Sequence, residues 1–133
     1  MLCLLTIFCL YGSLSYASVN SKPFVVPELK QWTGKDGNFT PGTNAKIVCT
    51  SANPELLRRA QMFADDYQQM FGKTLSVTQG KATPGDFILS LSADKKLGEE
   101  GYEIKITDRI TTSAPTPTGL YWSTRTLLQI AEQ

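Results

Sequence analysis

The fold turns on Gly101-Tyr102-Glu103-Ile104-Lys105-Ile106-Thr107-Asp108-Arg109-Ile110-Thr111-Thr112-Ser113-Ala114 and the Pro115-Thr116-Pro117-Thr118-Gly119 that follows it. Tyr102, Ile104 and Ile106 alternate with Glu103, Lys105 and Thr107, the period-two pattern of a strand with one apolar and one polar face. Asp108-Arg109 makes a tight turn, and Ile110 to Ala114 pairs back as a hairpin. The prolines and Gly119 break that pattern. A helix follows from about Thr118, with Leu120, Thr124, Leu127 and Ala131 at helical spacing and Leu128 beside them. It still runs at Gln133 with no capping residue, which carries the expectation that more polypeptide normally follows.

Upstream, Asp86-Phe87-Ile88-Leu89-Ser90-Leu91 reads as a strand with Phe87, Leu89 and Leu91 on one face, and Thr74 to Thr78 as another. Gly80 to Gly85 is a turn-rich link between them. Before these lies the clearest helix. Asn53 is placed to cap free amide groups, and Pro54 takes the first helical position, where its missing donor costs nothing. Leu56, Ala60, Phe63, Tyr67 and Met70 then form an apolar stripe running to Phe71, and Gly72 fits a left-handed C-terminal cap. Arg58, Arg59, Asp65, Asp66 and Gln69 occupy the opposite face. Ala45 to Thr50 reads as a strand. Asp36-Gly37, between Gln31-Trp32-Thr33 and Asn38-Phe39-Thr40, signals a hairpin. Phe24-Val25-Val26-Pro27 is an extended apolar opening. The order is β-hairpin, β, α, β, β, β, β, α: an α+β domain, a mixed sheet with two helices on its apolar face.

The 133 residues suit one domain and fall short of a (β/α)8 barrel, which needs about 250. With no His, the chain holds no Ser-His-Asp or Cys-His machinery, no HExxH helix and no His metal ligand. Thirteen basic against twelve acidic residues leave no surplus for nucleic acid. Arg58-Arg59 and Lys95-Lys96 read as solvated surface. Apolar Leu2 to Leu14, followed by Ser15-Tyr16-Ala17, has the h-region and small-residue cut of an export signal over residues 1–17. It is too short to span a membrane. The n-region carries no Lys or Arg. Cleavage before Ser18 predicts an exported, periplasmic or extracellular domain whose one remaining thiol, Cys49, is buried in a strand and has no activating base.

Sequence motifs for chemistry are weak. Phe71-Gly72-Lys73-Thr74 lacks the first glycine of a phosphate loop, since Tyr67 stands in its place, and the glycine ends a helix where it should open one. Asp65-Asp66 and Glu99-Glu100 are adjacent in sequence and so do not converge on one bond. Trp32, Tyr102, Tyr121 and Trp122 are the residues available for stacking on a sugar ring. Asn38-Phe39-Thr40 fits a glycosylation sequon, meaningful only in a eukaryotic secretory pathway. No residue is nominated as catalytic, cofactor-binding or metal-binding.

From Glu100 onward, Gly101-Tyr102-Glu103-Ile104-Lys105-Ile106, Thr112-Ser113-Ala114, Thr118-Gly119-Leu120-Tyr121-Trp122 and Thr126-Leu127-Leu128-Gln129 follow in register. This resembles the "G-Y-x-L/I-x-I … I-x-A … G-x-x-Y/F-G/W … Q-T-L-x-Q" run of the N-terminal domain of bacterial β-N-acetylhexosaminidases of glycoside hydrolase family 20. Phe24 to Trp32 resembles that domain's "I-P-x-P" opening, and Phe39-Thr40 with Ala45 to Val48 its next element. The resemblance runs from about Phe24 to Gln129. It implies a fold like that of zinc proteases without their metal centre, standing before a (β/α)8 barrel that hydrolyses terminal N-acetyl-β-hexosaminides. In that chemistry the substrate's own acetamido oxygen attacks, while an Asp-Glu pair orients it and protonates the leaving group. The barrel and its "H-x-G-G-D-E" motif are absent here, so the chain looks truncated and no catalytic residue carries over. The resemblance thus implies a non-catalytic scaffold with no cofactor, its partner the missing barrel of the same polypeptide, and any glycan reached only through that barrel. Tyr121, Trp122, Leu128 and Ile130 are the candidate interdomain face. The alternative is a free-standing exported carbohydrate-binding or adaptor module. An independent hydrolase has no residues to support it.

Overall fold

Asn53 starts the first helix as its position requires. Its side-chain oxygen accepts from the backbone N–H groups of Glu55 (2.9 Å) and Leu56 (3.2 Å), and Pro54 follows at the first helical position. The helix, α1, spans Pro54–Phe71 and ends on Gly72 at φ 68°, a left-handed conformation that favours glycine. The computed structural model describes residues 19–133, and the expected export signal lies outside the described residues.

Among the described residues five strands stand around α1, β1 (Lys46–Cys49), β2 (Ser76–Thr78), β3 (Phe87–Leu91), β4 (Glu103–Ile106) and β5 (Ile110–Ala114), with a second helix, α2 (Pro117–Glu132). A 3-10 turn covers Lys95–Leu97. The sheet order is β2-β1-β3-β5-β4. Only β4 and β5, the hairpin, pair antiparallel; the other three pairings are parallel. Parallel neighbours need a crossover rather than a tight turn, and α1 supplies it between β1 and β2.

Register puts Ile47 beside Phe87 and Cys49 beside Leu89, then Phe87 beside Ile110 and Leu91 beside Ala114. These side chains share one face. Leu56, Ala60, Phe63 and Tyr67 of α1 and Leu120, Leu127 and Leu128 of α2 pack on it as one core. The rings of Phe63, Tyr67 and Phe87 meet edge to face at 5.4–6.0 Å. Lys46, Ser90, Thr111 and Ser113 lie on the opposite face and none is fully buried. The α+β architecture expected from sequence, a mixed sheet with two helices on its apolar face, is therefore the one found.

Three local expectations fail. Asp36-Gly37 bends the chain, with Gly37 at φ 87°, but no strands flank it. The backbone groups a hairpin would pair are taken by Asn20, which donates from its N–H to the Lys35 carbonyl and from its side chain to the carbonyls of Lys35 and Gly37. Met70 is 44% exposed, because the last turn of α1 directs Phe71 inward against Tyr67 in its place. Ile106, at the end of the edge strand β4, is also exposed, although Tyr102 and Ile104 on the same face pack against the core.

Candidate functional site

Along the seam of the two helices, Arg59, Met62 and Asp66 recur on α1 at spacings of three and four. That places them on one stripe beside the apolar one. Arg59 and Asp66 meet α2 at Tyr121 and Arg125. Both guanidiniums lie on the Tyr121 ring, Arg59 at 5.0 Å and Arg125 at 4.9 Å from its centroid, within cation–π range. Arg125 also forms a 2.6 Å ion pair with Asp66. Trp122 stands edge-on to Tyr121 at 5.2 Å and is 42% exposed. Arg59 has no carboxylate among the described residues, and its buried Nε has no hydrogen-bond acceptor.

A second polar cluster lies at the opposite edge of the core. Asp86, 2% exposed just before β3, accepts from the N–H and Nζ of Lys46 (3.1 and 2.7 Å) and from the N–H and Oγ1 of Thr83 (2.8 and 2.9 Å). Burial alone would push its carboxyl up, but the Lys46 ammonium and the further donors outweigh it and hold the pKa at about 2. Both carboxylate oxygens accept from donors of the domain itself, so this is a structural tie between the starts of β1 and β3. The thiol of Cys49 is buried, and desolvation pushes its pKa up, the opposite of what a nucleophile needs.

The extended opening of the chain is tied to α2. The side chain of Gln129 accepts from the Val26 N–H (2.8 Å) and donates to its carbonyl (2.9 Å), and Gln133 donates to the Phe24 carbonyl (2.7 Å). Val25 is thereby buried, leaving Phe24 and Val26 exposed. An open cleft of about 700 Å³ lies between Pro41–Ala45 and Lys73–Ser76. It holds no pair of acid and base side chains.

The residues nominated from sequence are sorted by this geometry. Tyr121 is half-buried, Trp122 exposed and Ile130 half-buried. Leu128 is 5% exposed and lies in the core, so it is no part of an outer face. The reason is that α2 is covered by both the sheet and α1, which makes its buried arc wider than one stripe. Of the four aromatic residues considered for sugar stacking, Tyr121 and Trp122 are in ring contact. Tyr102 is tied through its hydroxyl to Thr126 Oγ1, and the Trp32 indole donates to the Asn20 carbonyl at 3.2 Å. Arg58 is solvated and paired with Glu55, but Arg59 is not the free surface residue its sequence suggested. Its placement was signalled only by the Arg59-Met62-Asp66 stripe.

No group of three or more His, Cys, Asp or Glu side chains able to hold a metal occurs among the described residues. No helix among them is long and apolar enough to cross a membrane. Fold and side-chain placement together define an α+β domain whose polar clusters tie its own elements together, Asp86 joining the starts of β1 and β3 and Asp66 joining α1 to Arg125 of α2. Residues 22–133 match the family described as glycosyl hydrolase family 20, domain 2, and the chain belongs to that family. It is similar to lacto-N-biosidase of Bifidobacterium bifidum, 31% identical over 126 residues, which covers 92% of this chain and 11% of that protein. Its fold is similar to part of the Streptomyces plicatus N-acetyl-beta-hexosaminidase solved with Thio-NAglucal. There the TM-score is 0.51 and the identity 22%, covering 85% of this chain and 19% of that one. The chain thus spans about a tenth of the curated relative's length and about a fifth of the solved chain.

Proposed function

We propose that this chain is the non-catalytic domain of an exported enzyme acting on N-acetyl-β-hexosaminides, and that it works by packing beside a catalytic (β/α)8 barrel of the same polypeptide. The observation that carries the reading is the family match over residues 22–133, joined to a fold in which the buried carboxylate of Asp86 is tied off and the buried thiol of Cys49 is raised out of reactivity. The names of the similar proteins, a lacto-N-biosidase and an N-acetyl-beta-hexosaminidase, suggest the substrate class. The exposed Trp122 and the half-buried Tyr121 and Ile130 are the proposed contact with the barrel. An aromatic side chain that shows its apolar body to water while its neighbours are half-buried is suited to a packing face.

Two assays test this. The 133-residue chain alone should not hydrolyse an aryl N-acetyl-β-glucosaminide, and reading the gene past the codon for Gln133 should find a barrel with an Asp-Glu pair. A stop followed by unrelated sequence would defeat the proposal. The second reading, a carbohydrate-binding module, rests on the exposure of Trp122 and Trp32. It requires that N-acetylglucosamine oligomers change tryptophan fluorescence, and an unchanged spectrum removes it.

A further inference from the structure

The pair of guanidiniums on Tyr121 is electrostatically unequal. Arg125 has a carboxylate, Asp66 at 2.6 Å. The neighbouring Arg58 has one too, Glu55 at 2.9 Å. Arg59 lies on the same ring at 5.0 Å and has none among the described residues. Its Nη1 reaches only the Met62 sulfur, at 3.9 Å, and its buried Nε has no acceptor. A guanidinium is a planar fork suited to a bidentate carboxylate, and a buried donor left unmade is costly to keep. Methionine would fill this position without that cost. Arg59 is also half-buried and lies on Tyr121, whose ring in turn meets the exposed indole of Trp122 at 5.2 Å. The domain therefore presents an immobilised, uncompensated cation next to an apolar anchor, the pairing of aromatic and arginine that dominates tight protein contacts.

We infer that Arg59 is the electrostatic anchor of the domain's docking surface, and that the occupant is the catalytic barrel, presenting one Asp or Glu carboxylate to the guanidinium and an apolar patch to Trp122. This rests on the proposed reading that a barrel accompanies the domain. Charge complementarity selects such a surface: a basic or wholly apolar face would leave Arg59 buried without its counter-charge. Tyr121 acts as the positioning residue, holding the guanidinium flat so that little side-chain freedom is lost on docking.

The test compares Arg59→Met in two settings, the complete reading frame and the 133-residue chain. In the chain alone the substitution removes an unsatisfied donor and the cation–π contact with Tyr121 together and keeps the stem's packing, so the melting temperature should change little. In the complete protein it should lower the melting temperature of the docked pair by at least about 3 °C, and Arg59→Glu should split one unfolding transition into two. Arg59→Lys should recover part of the loss. An equal fall in both settings would overturn the inference, since Arg59 would then serve only its own domain. So would a complete protein indifferent to all three substitutions, which leaves the barrel reading intact. A reading frame with no barrel would instead remove the reading and the inference together.

Discussion

The side-chain amide of Gln129 does for Val26 what a neighbouring strand would do, accepting from its N–H and donating to its carbonyl at 2.8 and 2.9 Å. A residue 103 positions away thus completes the backbone pairing of the chain's extended opening and holds Val25 in contact with the domain. Gln129→Leu keeps the volume and removes both bonds. It should cost about 1 kcal/mol and speed amide exchange at Val26 while leaving exchange in β3 unchanged. Native-state hydrogen exchange with urea unfolding reads both.

Asp86 should give the domain its acid limit. Its pKa falls from 3.8 to about 2 on folding, so the stability it adds is complete above pH 4 and is lost as pH falls through about 2. The shift corresponds to about 2 kcal/mol. Asp86→Asn should therefore be less stable than the wild type by roughly that amount at pH 6. The gap should close between about pH 4 and pH 2, measured as urea midpoints across the range.

Gly119 is required by contact. A Cβ there would lie 2.5 Å from the Gly101 carbonyl oxygen and 2.9 Å from the Ala114 Cβ. The obstructing oxygen is backbone and cannot swing aside. Gly119→Ala should lower stability by about 1–3 kcal/mol despite alanine's better helix propensity, seen as a fall in the thermal midpoint.

Much of this was legible in the sequence because it is local. Asn53, Pro54 and Gly72 mark both ends of α1, and the alternation from Tyr102 to Ala114 gives the β4–β5 hairpin. What escaped was non-local. Nothing near Asp36-Gly37 reveals that Asn20 claims its backbone groups, and nothing in Leu128 reveals that α1 covers that side of α2. At the candidate site, Tyr121 and Trp122 could be nominated from residue type alone. Arg59 could not, because its ring lies on the other helix, 62 positions along the chain.

Trp122 should matter little to the fold and much to association. Trp122→Ser should lower the stability of the 133-residue chain by only about 1 kcal/mol, the worth of its edge contact with Tyr121. It should also reduce self-association at high protein concentration in sedimentation velocity, because it removes the exposed apolar anchor.

The most direct test of the domain's role is hydrolysis of an aryl N-acetyl-β-glucosaminide by the complete reading frame with and without residues 19–133, followed through a thermal ramp. The account predicts turnover by the complete protein, none by the 133-residue chain, and a deleted form that loses activity at a lower temperature. Turnover by the chain alone, or a deleted form as durable as the complete protein, would contradict it.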